Sequence, residues 1–592
     1  MNEYLYPAAD MRFVLQHLIG FDRLCRDCGQ DAVDQALADE ILAQAGRFAQ
    51  AQLVPLNPLG DQRGCRMGPN GAEPPGGFAQ AHGQFVAAGW HALTLALEWG
   101  GQGLPRVLGA AVNEIWQSAN MAFSLCPLLT EGAMETLVCH GSTALKQRLL
   151  PAMAEGRWSG TMNLTEPEAG SDLAAIRTRA EPCADGYRLF GQKIYITWGE
   201  HDMTDNIVHL VLARLPDAPP GVKGISMFAV PRYLPDAAGE WCLPNDVRCL
   251  SLEHKLGIHA SPTCVMSYGE QGGALGYLVG AAHEGLAQMF TMMNSARQAV
   301  GLQGVAIAER ACQQARAYAC ARLQGTAADG TRFAIVRYPD VRRMLMQMRA
   351  SIEAMRALAY RGAADVDNAR CLADRGLSQR YHARADLLTP IIKGWCTELA
   401  QEVVSQALQI HGGMGYIEET GVAQHLRDAR ILTIYEGTTG IQGLDLVGRK
   451  LLHDRGAALE ALLDEIDSLA ERLSSDTDLA VQGARLAEAV ASARIAQAWL
   501  IQQAPVDPAA AGAASVPLLM LLGYLCGGWV MGLAALQARA ALALGQGDEA
   551  FLHDKCVTAR FYSEHLLPRT RAALESVLAG SDSIMAIPEQ RL

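Results

Sequence analysis

The chain has 592 residues, half of them hydrophobic and 19% charged, with a formal net charge of −13. At ~150 residues per core this length calls for three or four domains. The acidic balance disfavours non-specific attraction to nucleic acid or to an anionic membrane surface, and fifteen scattered cysteines fit a reducing cytoplasm rather than a disulfide framework.

Residues 1–35 read as an arm with a short amphipathic helix around Met11–Ile19. The N-terminal stretch lacks the basic region and apolar core of a secretory signal, so none is expected. Cys25 and Cys28 form a CxxC, but no second pair completes a zinc site, so no metal is expected. Residues 36–157 are helical in pattern, interrupted by a Gly/Pro-rich loop at Gly68–Gly77 and by Glu98–Pro105, where three glycines and a proline force a turn.

Between 158 and 280 the pattern changes. Tyr187–Thr197, Ile207–Ala213, Ile225–Val230 and Thr263–Tyr268 are short, rich in aromatic and β-branched residues, and separated by Gly, Pro and Asp clusters, which predicts a mostly antiparallel β domain. Helical periodicity returns over 281–455, with long segments at Leu286–Gly325 and Ala385–Gln409. The last part, 456–592, is helical again, with a Pro/Ala/Gly linker expected at Ala504–Ser515. The uncharged stretch Val516–Leu536 is long enough to span a bilayer. Its proline, its four glycines and its missing basic flanks favour a buried core helix instead. The fold class is therefore α+β and mainly α: an N-terminal helical domain, a central antiparallel β domain, a C-terminal four-helix bundle and an extra C-terminal helical domain.

The stretch with most chemical content is Ile431–Gln442. One carboxylate, Glu436, follows an apolar approach and precedes Gly437-Thr438-Thr439-Gly440. Glycine lets a ligand approach the backbone, and the threonines offer hydroxyls to a polar cofactor edge. Apolar neighbours would raise the carboxyl pKa towards the range of a general base.

Several separated motifs, in order over residues 36–450, resemble the flavin-dependent acyl-CoA dehydrogenases. Leu164-Thr165-Glu166-Pro167-Glu168-Ala169-Gly170-Ser171-Asp172 is similar to the family's V-T-E-P-x-A-G-S-D loop. The resemblance places Leu164 and Thr165 at the flavin, and Ser171 near the pyrophosphate and the acyl-CoA. Gly191–Thr197 is similar to G-x-K-x-W-I-T, with Tyr195 where the family's tryptophan covers the flavin and Thr197 near flavin N5. Arg322-Leu323-Gln324-Gly325 resembles R-x-T-F-G without its phenylalanine, so Arg322 and Gln324 would meet the FAD pyrophosphate of a second subunit. Gln409–Tyr416 and Arg427-Asp428 resemble Q-x-x-G-G-x-G-[FY] and R-D-x-x-I, implying that Gln409 and Gly413 also reach the partner's FAD; His411 reads as a packing or surface residue.

Ile434–Thr438 is similar to I-Y-E-G-T, which implies Glu436 as catalytic base, Thr438 as a flavin contact and Tyr435 with Arg297 as substrate-binding residues. The family's alternative position for the base is Ala296 here. The resemblance further implies α,β-dehydrogenation of a saturated acyl-CoA, with hydride transfer to flavin N5. The thioester carbonyl would be polarised by the Glu436 N–H and a flavin ribityl hydroxyl. An electron-transferring flavoprotein as acceptor and a homodimer follow in the same way. A medium-to-long straight fatty acyl chain, handled in β-oxidation, is the substrate expected. The C-terminal extension and the tag Glu253–His259 resemble the subgroup of 3-methylmercaptopropionyl-CoA dehydrogenases. An acyl-CoA oxidase, a non-enzymatic flavoprotein relative and a membrane-associated scaffold built on 516–536 are the alternatives.

Overall fold

Stretches with apolar residues every three to four positions form helices, and the β-branched and aromatic runs between 158 and 280 form strands, in the computed structural model, which describes residues 4–69 and 71–592. In chain order there are N-terminal helices, a central sheet, a helix bundle and a further C-terminal helical region. The described residues pack as two compact units. One runs up to Gly46 and includes Pro105–Ser118 and Arg297–Leu592; the other holds Arg47–Leu104 and Ala119–Ala296.

The long helices of the first unit are α1 (Arg106–Ala119), α2 (Gly285–Ala321, in this unit from Arg297), α3 (Pro339–Cys371) and α4 (Arg375–His411). Helix α4 is the axis of this unit. Every residue from Leu387 to Thr397 is buried, so it is enclosed on all sides rather than on one stripe. It starts where the Asp374 side chain accepts from the N–H groups of Gly376 and Leu377. After it come α5 (Val422–Ala429) and α6 (Thr439–Asp445), then the C-terminal helices α7 (Ala457–Ser474), α8 (Ala480–Gln503), α9 (Pro508–Ala543), α10 (Glu549–His565) and α11 (Arg569–Leu578).

Two sequence-based expectations change here. Most of Ala504–Ser515 is not a linker. Pro508 opens α9 at the first helical position, where its missing N–H costs nothing, and Asp507 caps it by accepting from Ala509 N–H at 3.0 Å. The uncharged stretch lies within α9. Among the described residues this is the one helix long and apolar enough to cross a membrane, yet 89% of its most apolar window is buried inside the protein. Its glycines explain how: Gly523 faces the Trp395 ring, Gly527 the Tyr562 hydroxyl, Gly528 Leu567 and Gly532 Leu473, each too close to admit a side chain. The second change is at Gly68–Gly77, where Arg66–Gly68 and Gly71–Glu73 pair as a two-stranded antiparallel hairpin; Asn70 lies outside the described residues.

In the second unit eight strands form one sheet: β1 (Trp158–Asn163), β2 (Arg179–Cys183), β3 (Gly186–Thr197), β4 (Asn206–Arg214), β5 (Ile225–Pro231), β6 (Val247–Leu252), β7 (Thr263–Tyr268) and β8 (Ala274–Val279). The spatial order is β6-β7-β3-β8-β5-β4-β1, with β2 beside β3 and β4. Pairing is antiparallel except where β4 meets β1 and β2. Strand β5 is buried along its whole length and β4 up to Ala213, as expected of strands covered on both faces. The Met121–His140 helix lies on β1, where Gly160 lets Ala133 come close and donates its N–H to Thr130 Oγ1 at 3.1 Å.

Candidate functional site

In the first unit the carboxylate loop is shaped by its backbone. After the tight turn Arg430–Thr433, Glu436 takes φ of 57° and Gly437 φ of 90°, reversing the chain into α6. A non-glycine residue held there stores of order 1–3 kcal/mol and persists only where its surroundings hold it. Those surroundings are visible. Gln442 Nε2 donates to the carbonyls of Glu436 and Gly437, both at 3.2 Å, and Lys393 Nζ donates to the Gly437 carbonyl at 2.6 Å. Thr438 caps α6, its Oγ1 accepting from Ile441 N–H at 3.3 Å.

Glu436 is half-buried, and desolvation pushes its carboxyl up to about 7 against the opposing pull of Arg297 and Lys393. Arg297, buried on α2, donates to Asp445 Oδ2 at 3.3 Å. Lys393 is fully buried, and desolvation brings its ammonium down to about 8 against the attraction of Glu436. Tyr435 donates its hydroxyl to Gln303 Oε1, and burial raises its pKa. A carboxyl that titrates near neutrality, on a strained and pinned loop, has the properties of a general base.

The structure thus brings Glu436, Tyr435, Thr438 and Arg297 together. Thr439 departs from the expectation of a hydroxyl offered to a cofactor: it is buried and donates to Glu398. Lys393, Gln442 and Asp445 went unnoticed in the sequence, although a lysine inside the apolar run Leu387–Cys396 was a usable signal. Arg322, Gln324, Gln409 and Gly413 stand exposed around the C-terminal ends of α2 and α4. Those ends are joined by Tyr318 stacking on His411 at 4.4 Å, which gives His411 its packing role.

The second unit assembles the other motifs. Lys193, buried on β3, donates to the Leu164 carbonyl at 2.9 Å and to Glu166 Oε1 at 2.8 Å. Glu166 also accepts from Arg177 N–H, Thr178 N–H and Thr178 Oγ1. Ile194 N–H donates to the Thr165 carbonyl at 3.0 Å. The Leu164–Asp172 loop is therefore stitched to β3, with Thr165 half-buried and Ser171 exposed. Opposite β7 the register of β3 shifts between Lys193 and Ile196, and in that bulge Tyr195 takes φ of 60° and stands 60% exposed. Thr197 pairs with Thr263 at the strand end. The Glu253–His259 tag is a packing device: His259 meets the Asp61 carboxylate at 3.0 Å and the Lys255 carbonyl at 2.9 Å, and Lys255 donates to the Ser261 carbonyl.

Comparison with known proteins agrees along the whole chain. Family models match in sequence: acyl-CoA dehydrogenase N-terminal domain at residues 35–157, middle domain at 161–270, C-terminal domain at 283–452, and acetyl-CoA dehydrogenase C-terminal-like at 462–588. A 3-methylmercaptopropionyl-CoA dehydrogenase of Ruegeria pomeroyi is 47% identical over 98% of this chain and 99% of its own length. The broad-specificity linear acyl-CoA dehydrogenase FadE5 of Mycobacterium tuberculosis is 33% identical over 100% of both chains. An acyl-CoA dehydrogenase of Bacillus anthracis, solved in complex with FAD, shares the fold with a TM-score of 0.75 at 22% identity, covering 92% of this chain and 88% of its own. The chain belongs to the acyl-CoA dehydrogenase family, in its long C-terminally extended subgroup, and is an FAD-dependent oxidoreductase that acts on an acyl-CoA substrate.

Proposed function

We propose that the enzyme converts a saturated acyl-CoA to the trans-2-enoyl-CoA, with Glu436 as the base that removes the α proton. The observation that carries this reading is the Glu436 carboxyl, pushed up to about 7 between Arg297 and Lys393 on a loop that holds it at φ of 57°. At neutral pH a large fraction of such a group is ionised and still basic enough to take a proton from carbon. Its backbone N–H is the donor we assign to the thioester carbonyl, where it would stabilise developing charge.

The residues present fit an FAD. Tyr195 offers an exposed aromatic face, Thr165 and Thr197 offer hydroxyls, and Gly170, Gly412 and Gly413 have open space where a side chain would stand, so their backbone is open to a phosphate group. On the family resemblance, Leu164, Thr165, Ser171, Tyr195, Thr197 and Thr438 are the residues we assign to FAD in one protomer, and the exposed Arg322, Gln324, Gln409 and Gly413 those we assign to the FAD of a second copy in a homodimer. When bound, FAD would supply the acceptor for the β hydrogen as hydride, and Glu436 is the group that would take the α proton. We assign Tyr435 and Arg297 to the wall of the acyl site, where Arg297 also keeps a positive charge beside the base.

The substrate we propose is an unbranched acyl-CoA. The activities for which the relatives are named, on 3-methylmercaptopropionyl-CoA, linear acyl-CoA and butyryl-CoA, support that choice and extend it below the medium-to-long chains expected from sequence. An electron-transferring flavoprotein is the proposed acceptor and the cytoplasm the proposed location. The test is anaerobic addition of a panel of acyl-CoAs, including 3-methylmercaptopropionyl-CoA and straight chains, while flavin absorbance is followed beside Glu436→Gln. Bleaching by one or more thioesters in the parent alone supports the reading. A parent flavin that no thioester reduces, or an active Glu436→Gln, contradicts it.

A further inference from the structure

Lys393 is buried at 0% exposure in the middle of α4, among residues that are buried on every side from Leu387 to Thr397. Its Nζ donates to the Gly437 carbonyl at 2.6 Å. Gln442, also fully buried, donates to the same carbonyl and to that of Glu436, both at 3.2 Å. The two peptide planes that follow the proposed base are thus pinned from opposite ends of the chain segment, by α4 and by α6. Gly437, at φ of 90°, has Gln442 Nε2 only 2.7 Å from where a Cβ would stand, so a side chain there would displace the Gln442 amide from the two carbonyls it holds.

A carbonyl oxygen needs only a neutral donor, and an ammonium is among the most unfavourable groups to bury without an opposing charge. That makes the residue type informative. The cations that act on Glu436 are Arg297 from α2 and Lys393 from α4. Lys393 in turn feels Glu436, Arg297 and Glu398; Arg297 is surrounded by Asp445, Asp386 and Arg449; Tyr435 faces Glu436 and Asp428. Among these, Lys393 joins two properties: its positive charge acts on the carboxyl, and its Nζ holds the loop that presents the carboxyl.

We propose that Lys393 is a positioning residue for the Glu436 loop, its ammonium holding the Gly437 carbonyl and supplying, with Arg297, the positive charge against which Glu436 works. The inference rests on the reading of Glu436 as the base. It separates two effects. Loss of the donor loosens the loop and lowers the rate of flavin reduction at every pH; loss of the charge moves the ionisation of Glu436 upward, because an ammonium stabilises the carboxylate relative to the acid.

The experiment uses the full-length FAD-loaded enzyme with Lys393→Arg, Lys393→Gln and Lys393→Met, together with Glu436→Gln. Single-turnover flavin reduction is followed against pH. Independently of turnover, the carboxylic-acid infrared band that disappears in Glu436→Gln is titrated in each variant. We expect Lys393→Gln, which keeps a donor without charge, to move both the kinetic limb and the infrared midpoint up by about one unit or more. Lys393→Arg should stay near the parent midpoint, and Lys393→Met should show the same upward shift with the rate reduced more than tenfold at its own plateau. The infrared midpoint requires only folded protein, and the glutamine variant, closest in size and polarity, covers the case in which the methionine variant does not fold. Unchanged midpoints in the glutamine variant, with Glu436→Gln inactive, overturn the role of Lys393 and leave the base intact. An active Glu436→Gln overturns the base reading itself and this inference with it.

Discussion

At Glu436, burial and neighbouring charge oppose each other and burial wins, so the carboxyl titrates near 7 rather than near the ~4.3 of an unfolded chain. The folded state therefore binds more protons than the unfolded state between those values. The contribution of this residue to stability is complete below about pH 4, declines across the window, and is lost above about pH 7. Glu436→Gln should accordingly unfold at a higher temperature than the parent at about pH 8 and at nearly the same temperature at about pH 4.5, a comparison scanning calorimetry makes directly. A gap that fails to narrow on acidification would show that the carboxyl is not held against its charge. In the second unit the buried Lys193–Glu166 pair carries the opposite lesson. Removing one partner strands a buried charge, so Lys193→Met should cost about 3–5 kcal/mol in urea unfolding. It should also weaken FAD retention, because the Leu164–Asp172 loop loses its anchor on β3. Unaltered stability in that variant would contradict the assignment.

Among the elements, α9 explains how the C-terminal region bears on the site. It lies along α4 and α6 at positions emptied of side chains: Gly394 meets Leu519, Gly443 meets the Ser515 backbone, and Gly523 meets Trp395, two residues from Lys393. A methyl group at Gly523 would stand 2.2 Å from the Trp395 ring. Gly523→Ala should therefore lose about 1–3 kcal/mol by overpacking, read as a lower thermal midpoint, whereas Gly512→Ala, where nothing stands nearby, should lose little. Equal effects at the two glycines would count against this packing. The strands at 187–197, 207–213, 225–230 and 263–268 were legible because their β-branched runs are bounded by turn residues. The start of α9 was not, because a Pro/Ala/Gly composition serves a linker and a proline-opened helix equally well. At the site, the acid was legible from its glycine-rich exit. Of its two cations, Arg297 entered through the resemblance as a substrate contact rather than as a partner of the base, and Lys393 did not enter at all, since they come from helices 139 and 43 residues away.

On the scale of the whole chain, the arm, the bundle and the C-terminal region of the first unit meet in one buried ion network. Arg356 on α3 binds Glu114 of α1 at 2.6 Å, Glu309 of α2 at 2.8 Å and Asp10 of the arm. Lys555 of α10 reaches Glu353 at 2.9 Å and the same Asp10. Five segments far apart in sequence are thereby held in one arrangement. Lys555→Met should leave Asp10 and Glu353 short of a buried partner and cost about 3–5 kcal/mol, with little dependence on salt because the network is shielded from water. Denaturant unfolding at low and high ionic strength checks both points, and a loss that salt abolishes would place the network at the surface.

The central claim is that Glu436 takes the α proton, and the pH dependence of single-turnover flavin reduction by a saturated acyl-CoA tests it most directly. The account predicts a rate that rises through a single ionisation at about 7 and then levels off in the parent. In Glu436→Gln the rate should fall by a factor of at least ~100 and that limb should be absent. Flavin reduction by Glu436→Gln at the parent rate, with the same limb, would contradict it.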